Sequence, residues 1–75
     1  MKVEIKDLQT IFSKAFGEEV TIDMNTKRSD LAQWDSINQL NLVIELEYFY
    51  KVSLTKEEIQ KLDSINYLIE ILQSK

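Results

Sequence analysis

The apolar positions of the chain fall into helical stretches separated by one long gap. From Val3 to Phe16, the residues Ile5, Leu8, Phe12, Ala15 and Phe16 stand at i, i+3, i+7, i+10 and i+11, the stripe of an amphipathic helix. Gly17, the single glycine, sits where a left-handed C-cap is wanted, so the first helix is predicted to end there. Glu18 to Trp34 shows no sustained period, with Val20, Ile22, Met24 and Leu31 as scattered apolar anchors among polar residues. A loop of this length in a small domain is expected to pack, with a turn of helix near Ser29 to Ala32.

The period resumes at Ser36-Ile37-Asn38-Gln39, which fits a capping box: the serine oxygen accepts from the N3 amide and the N3 glutamine reaches back to the cap. A second helix is predicted from here to about Tyr50. Ile37, Leu40, Val43, Ile44 and Tyr48 form its stripe, Leu46 and Tyr50 widen it, and Asn38, Asn41 and Glu45 lie opposite. So much of the circumference is apolar that two apolar neighbours are implied, either two helices or one helix plus an external ligand or partner. Lys51-Val52-Ser53-Leu54 breaks the period, and Thr55-Lys56-Glu57-Glu58 is a second capping box, opening a short helix that buries Ile59 and Leu62. Asp63-Ser64-Ile65-Asn66-Tyr67-Leu68 then repeats Asp35 to Leu40 at five of six positions and begins a last helix carrying Ile65, Leu68, Ile69 and Leu72. The flanks of the two copies differ, so they read as two uses of one helix-start chemistry rather than a repeat fold.

Composition narrows the function. The 75 residues are expected to form a single domain, 1–75, with one modest core. The chain has neither cysteine nor histidine, which excludes disulfides, thiolate or histidine metal sites, and Ser-His or Cys-His nucleophile systems. A self-contained enzyme is therefore not expected. Thirteen acidic against nine basic side chains leave a net charge of -4, which disfavours nucleic acid and anionic lipid. No apolar run, the stretch Met1 to Asp7 included, is long enough for a signal peptide or a membrane span. The expectation is a cytoplasmic monomer without membrane insertion.

Two serines compete for attention, and local sequence reads both Ser36 and Ser64 as helix caps. Their surroundings favour Ser36, which follows a long polar loop and Trp34, a residue expected to be exposed, whereas Ser64 lies in the short connection Lys61-Leu62-Asp63. A hydroxyl at a helix N-terminus also lies where backbone N–H groups and the helix dipole favour an attached anion.

With a long loop, then Asp35-Ser36-Ile37, then a helix ending Leu46-Glu47-Tyr48-Phe49-Tyr50, the chain resembles the acyl carrier proteins, whose Asp-Ser-Leu signature opens the second of four helices. The resemblance runs from Leu31 to Leu72 without an obvious gap and takes in Leu40, Leu42, Val43, Leu46, Glu57, Glu58, Ile65 and Ile69. It implies an all-α, four-helix bundle of the acyl-carrier type, with a long loop between helices one and two and a short third helix. It also implies that Ser36 is esterified by 4′-phosphopantetheine, transferred from coenzyme A by a separate, magnesium-using phosphopantetheinyl transferase. The thiol of that arm would carry acyl intermediates as thioesters to acyl-activating or acyl-transferring enzymes. The composition agrees, because a serine with no histidine to activate it fits a hydroxyl acted on by another enzyme.

Residue by residue, the resemblance implies that Asp35 and Ile37 are read by the transferase. Asp35 is also a candidate magnesium contact during modification, with a helix cap as its alternative reading, and no stable metal site is expected. Trp34, Asn38, Leu40, Asn41, Ile44, Glu45, Glu47 and Tyr48 fall on the implied partner-binding surface. Here the chain departs from many members, which carry acids at the positions of Asn38, Asn41 and Tyr48. Glu45 and Glu47 then remain to meet basic partner patches, and apolar contact from Ile44 and Tyr48 gains weight. Core packing competes for Tyr48 and is the preferred reading of Phe49. Leu46, Leu54, Ile59 and Leu62, which in this family could line a chain-sequestering cleft, are read as ordinary core.

Trp34 stands where fatty-acid-synthesis members often have a small residue, pointing to a stand-alone carrier of a specialised pathway. Peptidyl carriers usually place a glycine pair and often histidine before the serine, so acyl cargo is preferred over aminoacyl cargo. A carrier-fold interaction module without a prosthetic group is the remaining alternative.

Overall fold

The computed structural model describes residues 2–75; Met1, the first residue of the N-terminal stretch read above, lies outside the described residues. Its helices are α1 (Ile5–Phe16), α2 (Ser36–Tyr50), α3 (Lys56–Lys61) and α4 (Ile65–Gln73), with a 3-10 turn at Arg28–Asp30 in the first loop. This is the all-α, four-helix architecture expected, with the long loop before α2 and the short α3. Among the described residues there is no strand, and a lone antiparallel bridge joins Lys27 to Ser64.

Local signals set three of the helix boundaries. Gly17 takes φ 73° and ψ 15° and donates its N–H to the Ser13 carbonyl, ending α1 where only a residue without Cβ adopts that conformation freely. At α3 the Thr55 hydroxyl accepts from the Glu58 amide at 3.1 Å, and the Glu58 carboxylate accepts from the Thr55 amide at 2.8 Å, the reciprocal box that the sequence spells. Ser64 caps α4 by accepting from the Tyr67 amide at 3.1 Å.

The core is shared by all the layers. Leu8 and Phe12 of α1, Leu42 and Leu46 of α2, and Ile65, Leu68 and Leu72 of α4 are fully shielded from solvent, and Leu62 joins them from the α3–α4 connection. Leu46, Leu54 and Leu62 are buried and Ile59 is partly buried against the same cluster, in keeping with their reading as core.

The first loop is packed, as its length requires. Val20 and Ile22 are buried, and their amides are met by side chains of α1: Ser13 Oγ accepts from Val20 N–H at 3.0 Å and Gln9 Oε1 from Ile22 N–H at 3.1 Å. The loop then straps onto the start of α4, with Arg28 N–H donating to the Asp63 carbonyl at 2.7 Å and Ile65 N–H to the Thr26 carbonyl at 3.0 Å. Two expectations for this segment fail. Met24 is exposed rather than an anchor, and the helical turn falls at Arg28–Asp30 instead of near Ser29 to Ala32. The cause of the second is Asp30, whose carboxylate accepts from the Lys27 amide at 2.9 Å and fixes the turn one residue early.

The phase of α2 also differs from the sequence reading. Its buried residues are Gln39, Leu42, Val43 and Leu46, so of the predicted stripe only Val43 faces inward. Ile37, Leu40, Ile44 and Tyr48 point to solvent, and Phe49, expected in the core, is half exposed with its ring edge-on to Tyr50. A helix apolar on nearly every side has no periodic preference strong enough to fix which face turns in, so its neighbours decide.

Candidate functional site

Ser36 is the first residue of α2, not its cap. The N-cap is Asp35, whose Oδ1 accepts from the Asn38 amide at 2.8 Å. The predicted capping box between Ser36 and Gln39 is absent because the helix is capped one residue earlier: the Gln39 amide donates to the Asp35 backbone carbonyl at 2.8 Å, and the Gln39 side chain is drawn into the core. Ser36 is exposed, and its hydroxyl has no protein partner among the described residues. Asn38 reinforces the helix start by donating from its side chain to the Gln33 carbonyl at 2.8 Å.

Trp34, expected to be exposed and to meet partners, is 3 % exposed. Its ring stands edge-on to Phe12, with centroids 5.1 Å apart and planes at 83°, an arrangement that favours the ring quadrupoles. Its indole N–H donates to Gln39 Oε1 inside the protein. Gln39 Nε2 in turn donates to the carbonyls of Ile59 at 2.9 Å and Leu62 at 3.1 Å. One carboxamide thus joins the loop before Ser36, α2, and the end of α3. Leaving any of these groups unpaired in the interior would cost about 1–3 kcal/mol, which accounts for a polar side chain at 6 % exposure. Gln39 was missed as a functional position, although Leu42, Val43 and Leu46 at i+3, i+4 and i+7 place it on their face. Arg28, the chain's lone arginine, steadies the same segment by donating from Nε to the Trp34 carbonyl at 2.9 Å.

Beyond Ser36, α2 presents a continuous apolar surface. Ile37, Leu40, Ile44 and Tyr48 are between 60 and 77 % exposed and follow at i, i+3, i+7 and i+11, with Asn41 exposed beside them. The two acids expected to meet basic partners are held at the flanks instead. Glu45 lies 3.6 Å from Lys14 of α1, and Glu47 Oε2 accepts from the Leu54 amide at 2.9 Å, closing the turn after α2. The outward face of the helix is therefore almost free of formal charge. Among the described residues no group of three or more carboxylates could hold a metal ion, and Asp35 stands as a lone carboxylate beside Ser36.

The arrangement has a counterpart among known structures. The solution NMR structure of holo acyl carrier protein from Geobacter metallireducens matches with a TM-score of 0.82 at 29% identity, covering 95% of this chain and 83% of that one. The fold is thus that of the acyl-carrier helical bundles. No family model matches the chain. A curated acyl carrier protein of Phytoplasma mali (strain AT) is 33% identical over 62 residues, which cover 76% of this chain and 74% of the relative. The chain belongs to the acyl carrier protein family, and its role is that of a carrier rather than an enzyme.

Proposed function

We propose that residues 1–75 act as one carrier domain that holds acyl intermediates on a 4′-phosphopantetheine arm esterified to Ser36. What supports the choice of serine is the contrast in use: Ser64 is committed to the Tyr67 amide, whereas the Ser36 hydroxyl is exposed and free because Asp35 does the capping. The similarity to a holo acyl carrier protein supports the arm itself. The residues present fit it: an anion on Ser36 would lie beside the first amides of α2, which contribute roughly 0.3–1 kcal/mol at an exposed helix start. When bound, the arm supplies the thiol for thioester chemistry that a cysteine-free chain lacks.

In the attachment step the Ser36 oxygen bonds to the phosphorus of coenzyme A that bears the pantetheine. The bond from that phosphorus to the nucleotide's bridging oxygen breaks, the nucleotide bisphosphate leaves, and the serine proton passes to the transferase. Asp35 and Ile37, flanking Ser36, are the residues that a phosphopantetheinyl transferase would read, with Asp35 able to approach its magnesium. Ile37, Leu40, Asn41, Ile44 and Tyr48 form the surface for acyl-activating or acyl-transferring partners, with Asn38 at its margin. Glu45 and Glu47 serve this surface only after leaving Lys14 and Leu54, so association depends weakly on salt. Trp34 acts from the interior and marks a pathway-specific carrier, and the absence of a glycine pair or histidine before Ser36 favours acyl over aminoacyl groups.

Incubation with coenzyme A and a permissive transferase should add one phosphopantetheine by mass, and Ser36→Ala protein should gain nothing. Addition that persists in that variant, or that maps to Ser64, overturns the assignment. A folded protein that every transferase leaves unmodified would instead favour the carrier-fold interaction module without a prosthetic group.

A further inference from the structure

We propose that Gln39 is a latch that keeps the acyl chain out of the bundle, so that this carrier holds its cargo in solvent and suits acyl groups short or polar enough to stay there. The inference rests on Ser36 as the attachment point. Ser36 and Gln39 are three residues apart and so neighbours on one side of α2, which puts the seam that Gln39 closes beside the attachment point.

The seam between α2 and α3 is polar and closed at that point. Gln39 Nε2 donates to the Ile59 and Leu62 carbonyls at 2.9 and 3.1 Å, and its Oε1 receives the Trp34 indole N–H. An entering alkyl chain would break these bonds and offers neither donor nor acceptor in exchange. Behind the latch, Leu42, Leu46 and Leu62 are fully buried in one packed cluster, so the chain would have to displace side chains. A short or polar acyl group has little apolar surface to shield and gains little by entering.

The test uses wild-type and Gln39→Leu protein, each loaded at Ser36 with acetyl- or octanoyl-phosphopantetheine from the corresponding acyl coenzyme A, with loading verified by mass. Thioester cleavage by hydroxylamine is timed and normalised to the same thioesters on free coenzyme A, and the indole N–H of Trp34, the only tryptophan, is followed by NMR. In wild-type protein the octanoyl and acetyl forms should be cleaved at equal normalised rates, with no indole shift between them. In Gln39→Leu protein the octanoyl form should be cleaved about tenfold more slowly, as expected of a chain sheltered nine-tenths of the time, and the indole signal should differ between the variant's octanoyl and acetyl forms. Gln39→Met serves where Gln39→Leu fails to fold. Protection of the octanoyl group in fully loaded wild-type protein overturns the latch alone, as does its absence from the folded variants. Failure to gain any mass overturns both the reading of Ser36 and the latch that depends on it.

Discussion

Asp35 to Leu40 and Asp63 to Leu68 are nearly the same six residues, and the protein puts them to opposite uses. In the first copy Asp35 caps, Ser36 is exposed, and Ile37 and Leu40 face solvent; in the second Ser64 caps, and Ile65 and Leu68 are fully buried. The cap differs by one residue: the Asp35 carboxylate accepts from the Asn38 amide, whereas in the second copy Asp63 joins the strap through its backbone carbonyl and the Ser64 hydroxyl takes the Tyr67 amide. The apolar residues differ because the remainder of each helix sets its facing: Leu42, Val43 and Leu46 turn α2 inward on one side, and Ile69, Ile71 and Leu72 turn α4 inward on another. A short motif therefore signals that a helix starts without saying which residue will be left free. The free hydroxyl arises where the preceding carboxylate does the capping.

The sharpest way to break this contrast is chemical. Ser36→Ala should abolish phosphopantetheine addition outright, and Ser64→Ala should leave it complete, both read by intact mass. Next come the isoleucines, compared by denaturant unfolding: Ile65→Ala should lose about 2–5 kcal/mol of stability as a buried truncation. Ile37→Ala, at an exposed position, should stay within about 0.5 kcal/mol. The caps follow. Ser64→Ala and Asp35→Ala should each lose about 1 kcal/mol, the usual worth of a side-chain cap, whereas Ser36→Ala should again stay within about 0.5 kcal/mol. Equal losses at Ser36 and Ser64 would sink the distinction between a free and a capping serine.

The smallest effect uses the third helix start as a control that titrates. The backbone N–H of Thr55, and then the Lys75 ammonium, hold the Glu58 carboxyl below its ordinary value of 4.5. A lowered folded pKa means that the carboxylate's contribution is fully present above pH 4.5 and is lost as the pH falls through the folded value. Acid titration of unfolding midpoints should show this loss, and Glu58→Gln protein should lack that step. The Ser64 cap has no such proton to gain.

What the sequence made legible was whatever is decided locally. Gly17, the Thr55 box and the apolar spacing of α1 and α4 each state their own geometry, and all four helices form within two residues of where their patterns place them. The facing of α2 was not legible, because its apolar residues nearly encircle the helix and several phases look alike. Trp34 and Gln39 were misjudged together for a related reason: each is polar or loop-bound by local criteria, and it is their mutual hydrogen bond, with those from Gln39 to the Ile59 and Leu62 carbonyls, that makes burial of both tolerable. That pairing is a tertiary event without a periodic signature. Ser36 was selected partly on Trp34's expected exposure, a premise that the buried indole removes; the contrast with Ser64 now rests on the cap instead.

The strap between the first loop and the start of α4 carries a kinetic consequence. Its bonds from Arg28 to Asp63 and from Ile65 to Thr26 enclose the whole of α2 and α3, so forming them early would cost the closure entropy of that entire segment. Once the helices have docked, most of that entropy is already lost and the strap closes almost freely. Refolding should therefore end at these two amides, whose protection in pulsed hydrogen exchange is expected to trail that of the helix interiors.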